Sequence, residues 1–487
     1  MTDISLRDIQ LLLPEVILAL WASLVLTVDL FIDTRRHRQP LLALALVGIV
    51  GAAIASVALL GQNTTAFFGL VVVDDFSIFF KLIFLLAAGL VLLSSESFTE
   101  RIRENTAELY GLILFCTMGL MLMATTKELM SIYLALELSS LSLAFLATWA
   151  KRELRSSEAG LKYFVLSAVS SSILLFGMAL MYGITGSTDL SVIGLQLTAN
   201  ATPAALLAMS LILAGFGFKI AAVPFQMWTP DVYEGAPTPV TAFLSVASKS
   251  AGFAVVMRIF DVALGQGEIQ VVWTQMFVVI SILTMFVGNL AALLQTNIKR
   301  MLAYSSIAHV GYMLMGLAAA NPGGAPNGLS AVMFYLLVYA FTNLGAFAVV
   351  IAVSRYVEGE DISSYAGLGQ RAPILALIFS ICLLSLAGIP PLAGFFAKMY
   401  LFWAAAERGL YLPVILGVIN SAISLYYYAR VIRQMYMLEP ATAAGPVRVG
   451  RVPAVSLAAA AIGVVFMGFL ASPFIQAAFG AATTIVR

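Results

Sequence analysis

The chain is 487 residues long, 61% hydrophobic and 10% charged, with a formal net charge of +1. Soluble globular chains are about 45–50% apolar, so a soluble fold is excluded and the class is an all-α polytopic membrane protein. Two cysteines, Cys116 and Cys382, and two histidines, His37 and His309, cannot build a four-thiolate iron–sulfur cluster or a zinc site. No basic patch of the kind that holds nucleic acid is present.

The first apolar run lacks a basic leader and outlasts a signal peptide, so it reads as a retained span. With about 20 apolar residues needed per span, about 14 spans are predicted, near 10–30, 41–60, 76–95, 107–125, 129–149, 160–183, 204–223, 239–262, 271–295, 302–319, 329–353, 373–404 (broken), 411–435 and 453–476. The predicted organisation is three helices over 1–106, a five-helix unit over 107–262, a second and inverted one over 271–436, and a C-terminal loop with the last helix over 437–487.

Lys and Arg collect in alternate loops: Arg35, Arg36 and Arg38; Arg101 and Arg103; Lys151, Arg152 and Arg155; Lys299 and Arg300; Arg355 and Arg371; Arg448 and Arg451. The opposite side holds only Arg7, Lys127, Arg408 and Arg487. Basic loops stay in the cytoplasm. Both termini are therefore predicted outside it, and the turn WTPDVYEGAPTP inside. His37 reads as a solvated residue of its basic loop, and Tyr426, Tyr427 and Tyr428 beside Arg430 read as an interface belt.

Two stretches break the apolar pattern. Gly215–Lys249, GFGFKIAAVPFQMWTPDVYEGAPTPVTAFLSVASK, carries Lys219 before a proline-rich turn and Lys249 after it. Ser385–Phe402, SLAGIPPLAGFFAKMYLF, repeats the glycines, the proline break and a single lysine, Lys398. Lipid cannot satisfy a broken backbone, and transporters use such broken helices at their binding sites. The breaks fall in spans 7 and 12. That odd offset is the mark of an inverted repeat.

Ionisable groups inside apolar helices are costly and usually functional. Glu137, in SIYLALELSSLSLAF, shares a helical face with Tyr133 and Ser140. It is either part of an ion path or half of a fixed Glu–Lys pair. Lys219, Lys249 and Lys398 read as proton carriers, with snorkelling as the alternative. Lys249 shares its face with Ser245 and Gly252, and His309 shares its face with Ser305 and Tyr312. Histidine titrates near about 6.5 unperturbed, which suits a relay. Elsewhere Arg258 is expected to pair with Asp261, Lys81 to reach back to Asp74 and Asp75, and Lys162 with Glu158 to anchor a helix end. Glu15 and Asp29 in the first span carry no assignment. No phosphate loop, nucleotide fingerprint, haem pair or metal cluster is present.

The strings FKIAAVPFQMWTPDVYEGAPTPVTAFLSVASK, QTNIKRMLAYSSIAHVGYMLMG and SLAGIPPLAGFFAKMYLFW resemble the subunit N family of the bacterial proton-pumping NADH–quinone oxidoreductase, complex I. They are also similar to mitochondrial subunit 2 and to the B subunit of the cyanobacterial and chloroplast NDH complex. Sister antiporter-like subunits carry a TWLPDAH-like string where this chain has WTPDVY. The resemblance implies an antiporter-like fold of 14 helices, proton translocation driven by quinone reduction elsewhere, and no cofactor in this subunit. NADH, FMN, iron–sulfur clusters and quinone are implied on partner subunits, and the partners are other complex I membrane subunits and the lipid bilayer of the bacterial inner membrane. It carries proton translocation over to Glu137, Lys219, Lys249, His309 and Lys398. A free-standing or Mrp-type cation/proton antiporter subunit and an inert membrane scaffold are the other readings. The WTPDVY string counts against the first, and the lysine in each broken helix against the second. In the expected mechanism Glu137 stands beside Lys219 and keeps it charged. On release, the proton passes to Lys249, past His309 and on to Lys398.

Overall fold

The computed structural model describes residues 5–31, 38–99, 105–197, 202–320, 327–357, 359–439 and 447–485. Arg35, Arg36, His37, Arg101, Arg103 and Arg487 lie outside the described residues.

Among the described residues, 12 helices are long and apolar enough to cross a membrane. Two further predicted spans are met by shorter helices. Leu13–Asp29 has 17 residues, and the broken span is split into Pro373–Ala387 and Ala393–Glu407, of 15 residues each. The expected count of fourteen is thus not reached on length alone, because these helices stop short. The bundle makes this a multi-pass membrane protein. The only sheet among the described residues is a small hairpin, Thr64–Ala66 against antiparallel Val71–Val73, with Thr65 opposite Val72.

The helices start where the sequence supplies caps. Thr202 accepts from the N–H of Ala205 ahead of Pro203, Asn297 accepts from Lys299 and Arg300, and Asn327 accepts from Leu329. A side-chain oxygen there satisfies backbone donors that have no partner in the first turn. Thr238–Ala263 is buried along its whole apolar window. It contains two π-helical turns, Leu244–Ser248 and Ile259–Ala263, on either side of Lys249–Arg258. Such turns often mark functional positions.

Both predicted breaks are present, with matching geometry. The first helix ends at Ile220, with Ala221 left-handed at φ 64°, and the second ends at Ala387, with Gly388 at φ 88°. The bonds Val223–Pro224 and Pro390–Pro391 are cis. Freed backbone groups inside a membrane must find protein partners, and here they do. The Trp228 indole donates to the Phe218 carbonyl at 2.9 Å, and the Val223 N–H donates to Thr284 Oγ1 at 3.1 Å. At the second break Lys398 Nζ donates to the Ala387 carbonyl at 2.9 Å, and the Gly394 N–H donates to Ser385 Oγ at 3.0 Å. A Cβ on Gly394 would sit 1.8 Å from the Ser385 carbonyl oxygen, so only glycine permits this closure.

Three sequence expectations about charge pairing are corrected. Arg258 does not pair with Asp261. Its two terminal nitrogens reach the two oxygens of Asp74 at 3.0 Å each, and one also donates to the Ala124 carbonyl at 3.0 Å. Lys81 turns away from Asp74 and Asp75 and pairs with Glu15 at 2.8 Å, both fully enclosed. Tyr427 and Tyr428 are buried in the bundle centre, and only Tyr426 faces outward. In the first two cases the partner comes from a packed neighbouring helix. In the third, consecutive helical residues point about 100° apart, so a triplet cannot share one face.

Candidate functional site

The five predicted residues sit on five helices. Glu137 is half-buried on Leu129–Ala147, whereas Lys219, Lys249, His309 and Lys398 are buried. Lys219 lies in the last turn before the first break, and Lys249 directly follows a π-helical turn.

Lys219 Nζ donates to Ser139 Oγ at 3.1 Å and to Ser140 Oγ at 3.0 Å. It forms no ion pair with Glu137, whose Oε1 is enclosed without a hydrogen-bond partner. The expected contact pair is therefore replaced by a serine doublet on the Glu137 helix. Glu137 remains close enough to act on Lys219 electrostatically. Three residues along a helix turn the chain to the same side, so the doublet offers its hydroxyls where the carboxylate was expected.

Tyr163 stands between Ser140 and Ser248, beside Lys249. Lys249 Nζ lies over the Tyr233 ring, 5.6 Å from its centre, and donates to Ser306 Oγ at 2.5 Å. Tyr339 donates to the same Ser306 oxygen at 2.8 Å, and its ring centre is 5.2 Å from that of His309. His309 Nδ1 shares a proton with Tyr335 Oη at 2.6 Å, and Nε2 meets Tyr428 Oη at 3.3 Å. Tyr428 also bonds Ser305 Oγ. Tyr427 donates to Asn289 Oδ1 at 2.9 Å, and Asn289 Nδ2 reaches Tyr312 Oη at 3.4 Å. Lys398 Nζ lies over the Tyr312 ring at 4.9 Å and donates to Ser421 Oγ at 2.8 Å besides Ala387. The structure thus brings Lys219, Lys249, His309 and Lys398 into one buried polar row.

The serine doublets and tyrosines are the part that sequence reasoning largely missed. Ser140, Ser305 and Tyr312 were legible as neighbours on a face. Ser139, Tyr163, Ser306, Tyr335, Tyr339 and Tyr428 were not. The recurrence of Ser-Ser at 139–140 and 305–306 is the signal that could have found two of them.

One end of the row opens on a charged mouth. Arg300 pairs with Asp231 and Glu234 at 2.8 Å each, and Lys162 with Asp231 at 3.1 Å and Glu158 at 2.8 Å. Lys299 pairs with Glu360 at 2.9 Å and donates to the carbonyls of Glu234 and Ala236. Partial burial works against ionisation of Asp231, but its hydrogen bonds from Lys162 and Arg300 outweigh it and hold the carboxyl below the usual carboxylate range. Lys162 is therefore part of this network as well as a helix anchor. No group of three or more candidate metal ligands occurs among the described residues.

Residues 126–424, more than half of the chain, match the family described as NADH:quinone oxidoreductase/Mrp antiporter, TM. The chain belongs to this family. NADH-quinone oxidoreductase subunit N of Trichlorobacter lovleyi is 48% identical over 433 residues, covering 88% of each chain. NAD(P)H-quinone oxidoreductase subunit 2 of Gloeobacter violaceus is 44% identical over 440 residues, covering 90% of this chain and 84% of the relative. Among solved structures, a chain of respiratory complex I from Thermus thermophilus with bound aureothin superposes with a TM-score of 0.80 at 32% identity, over 95% of this chain and 98% of that one. A chain of the Mrp complex from Dietzia shares the fold at a TM-score of 0.86 and 22% identity, over 99% and 98%.

Proposed function

We propose that the chain is a proton-translocating membrane subunit of a bacterial NADH–quinone oxidoreductase of the complex I type. It sits in the inner membrane among other membrane subunits, with both termini outside the cytoplasm. Redox chemistry belongs to the partners, and this chain moves protons. One observation carries the reading: buried amines, hydroxyls and an imidazole follow one another from Lys219 to Lys398 within an otherwise apolar bundle. A row of this kind is costly to bury unless it is used. A scaffold would gain the same packing from leucines.

Protons enter from the charged mouth around Asp231 and reach Lys219. Tyr163 and Ser248 lead from Ser140 toward Lys249. Ser306 and Tyr339 lead from Lys249 to His309, and Lys398 receives the proton last. A change in charge or position at Glu137, imposed by the neighbouring subunit, sets when Lys219 releases its proton.

The test is Lys219→Arg beside Lys219→Ala in assembled complex. Arginine keeps the charge but does not deprotonate in a protein. A carrier role predicts that both variants lose proton pumping together. A fixed counter-ion role predicts that arginine restores most of what alanine loses, and that outcome would refute the relay.

A further inference from the structure

The row has one weak joint, between His309 and Lys398. His309 is bonded to Tyr335 and Tyr428, whereas Lys398 meets only a ring face, a carbonyl and Ser421. The route through Tyr427 and Tyr312 passes across the Asn289 amide, and an amide has no proton to exchange as readily as a hydroxyl or an imidazole. Between the two groups lies a cavity lined by His309, Tyr335, Tyr339, Thr342, Ser385 and Gly394. It has room for the centre of about one water molecule.

Its polar wall is under-satisfied in a particular way. Thr342 Oγ1 gives its hydrogen to the Val338 carbonyl at 2.7 Å, which leaves its lone pairs free. Ser385 Oγ accepts from the Gly394 N–H, and its own hydrogen finds only Thr342 Oγ1 at 3.4 Å. That is well beyond the usual O–H···O distance of about 2.7–2.8 Å. Tyr339 spends its hydrogen on Ser306 and still accepts. A water here would accept from Ser385 and donate to Thr342 and Tyr339 or Tyr335. A buried water needs two to four such partners.

We infer that this cavity is a specific site for one ordered water, held by Thr342 and Ser385, that carries the relay from the His309–Tyr335 pair to the second helix break. The inference rests on the relay reading above. Ser385 is two residues before Ala387, whose carbonyl receives the Lys398 ammonium, so the water ends at the segment that holds the last lysine. Thr342 and Ser385 are positioning residues: they fix the water, and the water does the transfer. Each hop hands one proton on and takes one in behind, so every oxygen along the link keeps its original proton count.

Two measurements test this in the assembled complex. A map that resolves ordered water should show a peak within hydrogen-bond distance of Ser385 Oγ and Thr342 Oγ1, and no peak there overturns the site. Thr342→Val keeps shape and removes the acceptor, with only an intrahelical bond lost. It should lower proton pumping roughly three- to tenfold, as the loss of about one hydrogen bond allows, while Thr342→Ser retains it and NADH oxidation with an artificial acceptor stays normal in both. Wild-type pumping by Thr342→Val overturns the water's role. Failure of the relay as a whole shows separately, in a Lys219→Arg variant that pumps normally, and it leaves the water peak untouched.

Discussion

Asp74→Asn isolates the value of one buried charge. Asp74 receives both terminal nitrogens of Arg258 at 3.0 Å, and each side chain is 4% exposed. The same aspartate accepts from the Ser77 N–H at 2.8 Å and so starts the helix that follows. Asparagine caps a helix as well as aspartate does, so the substitution spares the cap and removes only the negative charge. Arg258 is then left enclosed with the Ala124 carbonyl and the face of Phe76, 4.9 Å away. Breaking a buried pair from one side costs about 3–5 kcal/mol. The two contacts that remain place this case near the lower limit, at about 3 kcal/mol. Thermal denaturation of the purified complex, followed by the fraction of this chain still assembled, measures it. The double variant Asp74→Leu, Arg258→Met leaves no stranded charge and should recover most of the loss, since apolar replacements of buried pairs are often neutral. A single variant as stable as wild type, or a double variant as damaged as the single, would refute the reasoning.

Tyr428→Phe removes the hydroxyl shared by His309 and Ser305, and proton pumping should fall by at least about threefold with assembly unchanged. Tyr427→Phe, whose hydroxyl serves Asn289, is the milder control in the same vesicle assay. Asp231 gives a pH signature. Its carboxyl is held below the ordinary range, so its contribution to stability is present above the unfolded value of about 3.9 and fades as pH falls through the lower folded value. The gap in melting temperature between wild type and Asp231→Asn should therefore be constant at neutral pH and close only below about pH 4. A gap that closes at higher pH would show that another group sets it. With the side chain 40% exposed, the gap is small.

The breaks and the lysines were legible because both violate the chemistry of an apolar span. A glycine–proline break strands backbone groups, and an ammonium in lipid is costly, so each stands out against its own neighbours. What surrounds them was hidden for the opposite reason. Serine and tyrosine are tolerated in membrane helices at little cost, so Ser139, Ser306 and Tyr339 look alike whether they line a path or close a turn. Pairing failed where sequence proximity stood in for packing. Asp261 is three residues from Arg258 and carries one oxygen enclosed without a partner, whereas Asp74 is 184 residues away and takes the guanidinium. The π-helical turn at Ile259–Ala263 lies between the two, so the spacing of an ordinary helix does not apply there. Tyr428 was assigned to the membrane surface on the strength of Tyr426, its neighbour but one.

The two broken helices solve one backbone problem with opposite placements of the cation, and this separates how each lysine is controlled. Lys219 precedes its break and leaves the freed Phe218 carbonyl to Trp228. Its ammonium rests on two neutral hydroxyls, with Glu137 acting from a distance. Lys398 follows its break and is itself the partner of the freed Ala387 carbonyl. It sits at the negative end of a helix and over the Tyr312 ring, and forms no ion pair with any carboxylate among the described residues. In the second half, Ala303 stands two residues before the Ser305–Ser306 doublet, where Glu137 stands before Ser139–Ser140. A carboxylate can therefore govern the first lysine and not the last. Lys398 instead answers to the position of its own break, because a shift of Ala387 carries away the oxygen that holds the charge. Charge controls one end of the row and backbone geometry the other, and the hydroxyls between them need no control of their own.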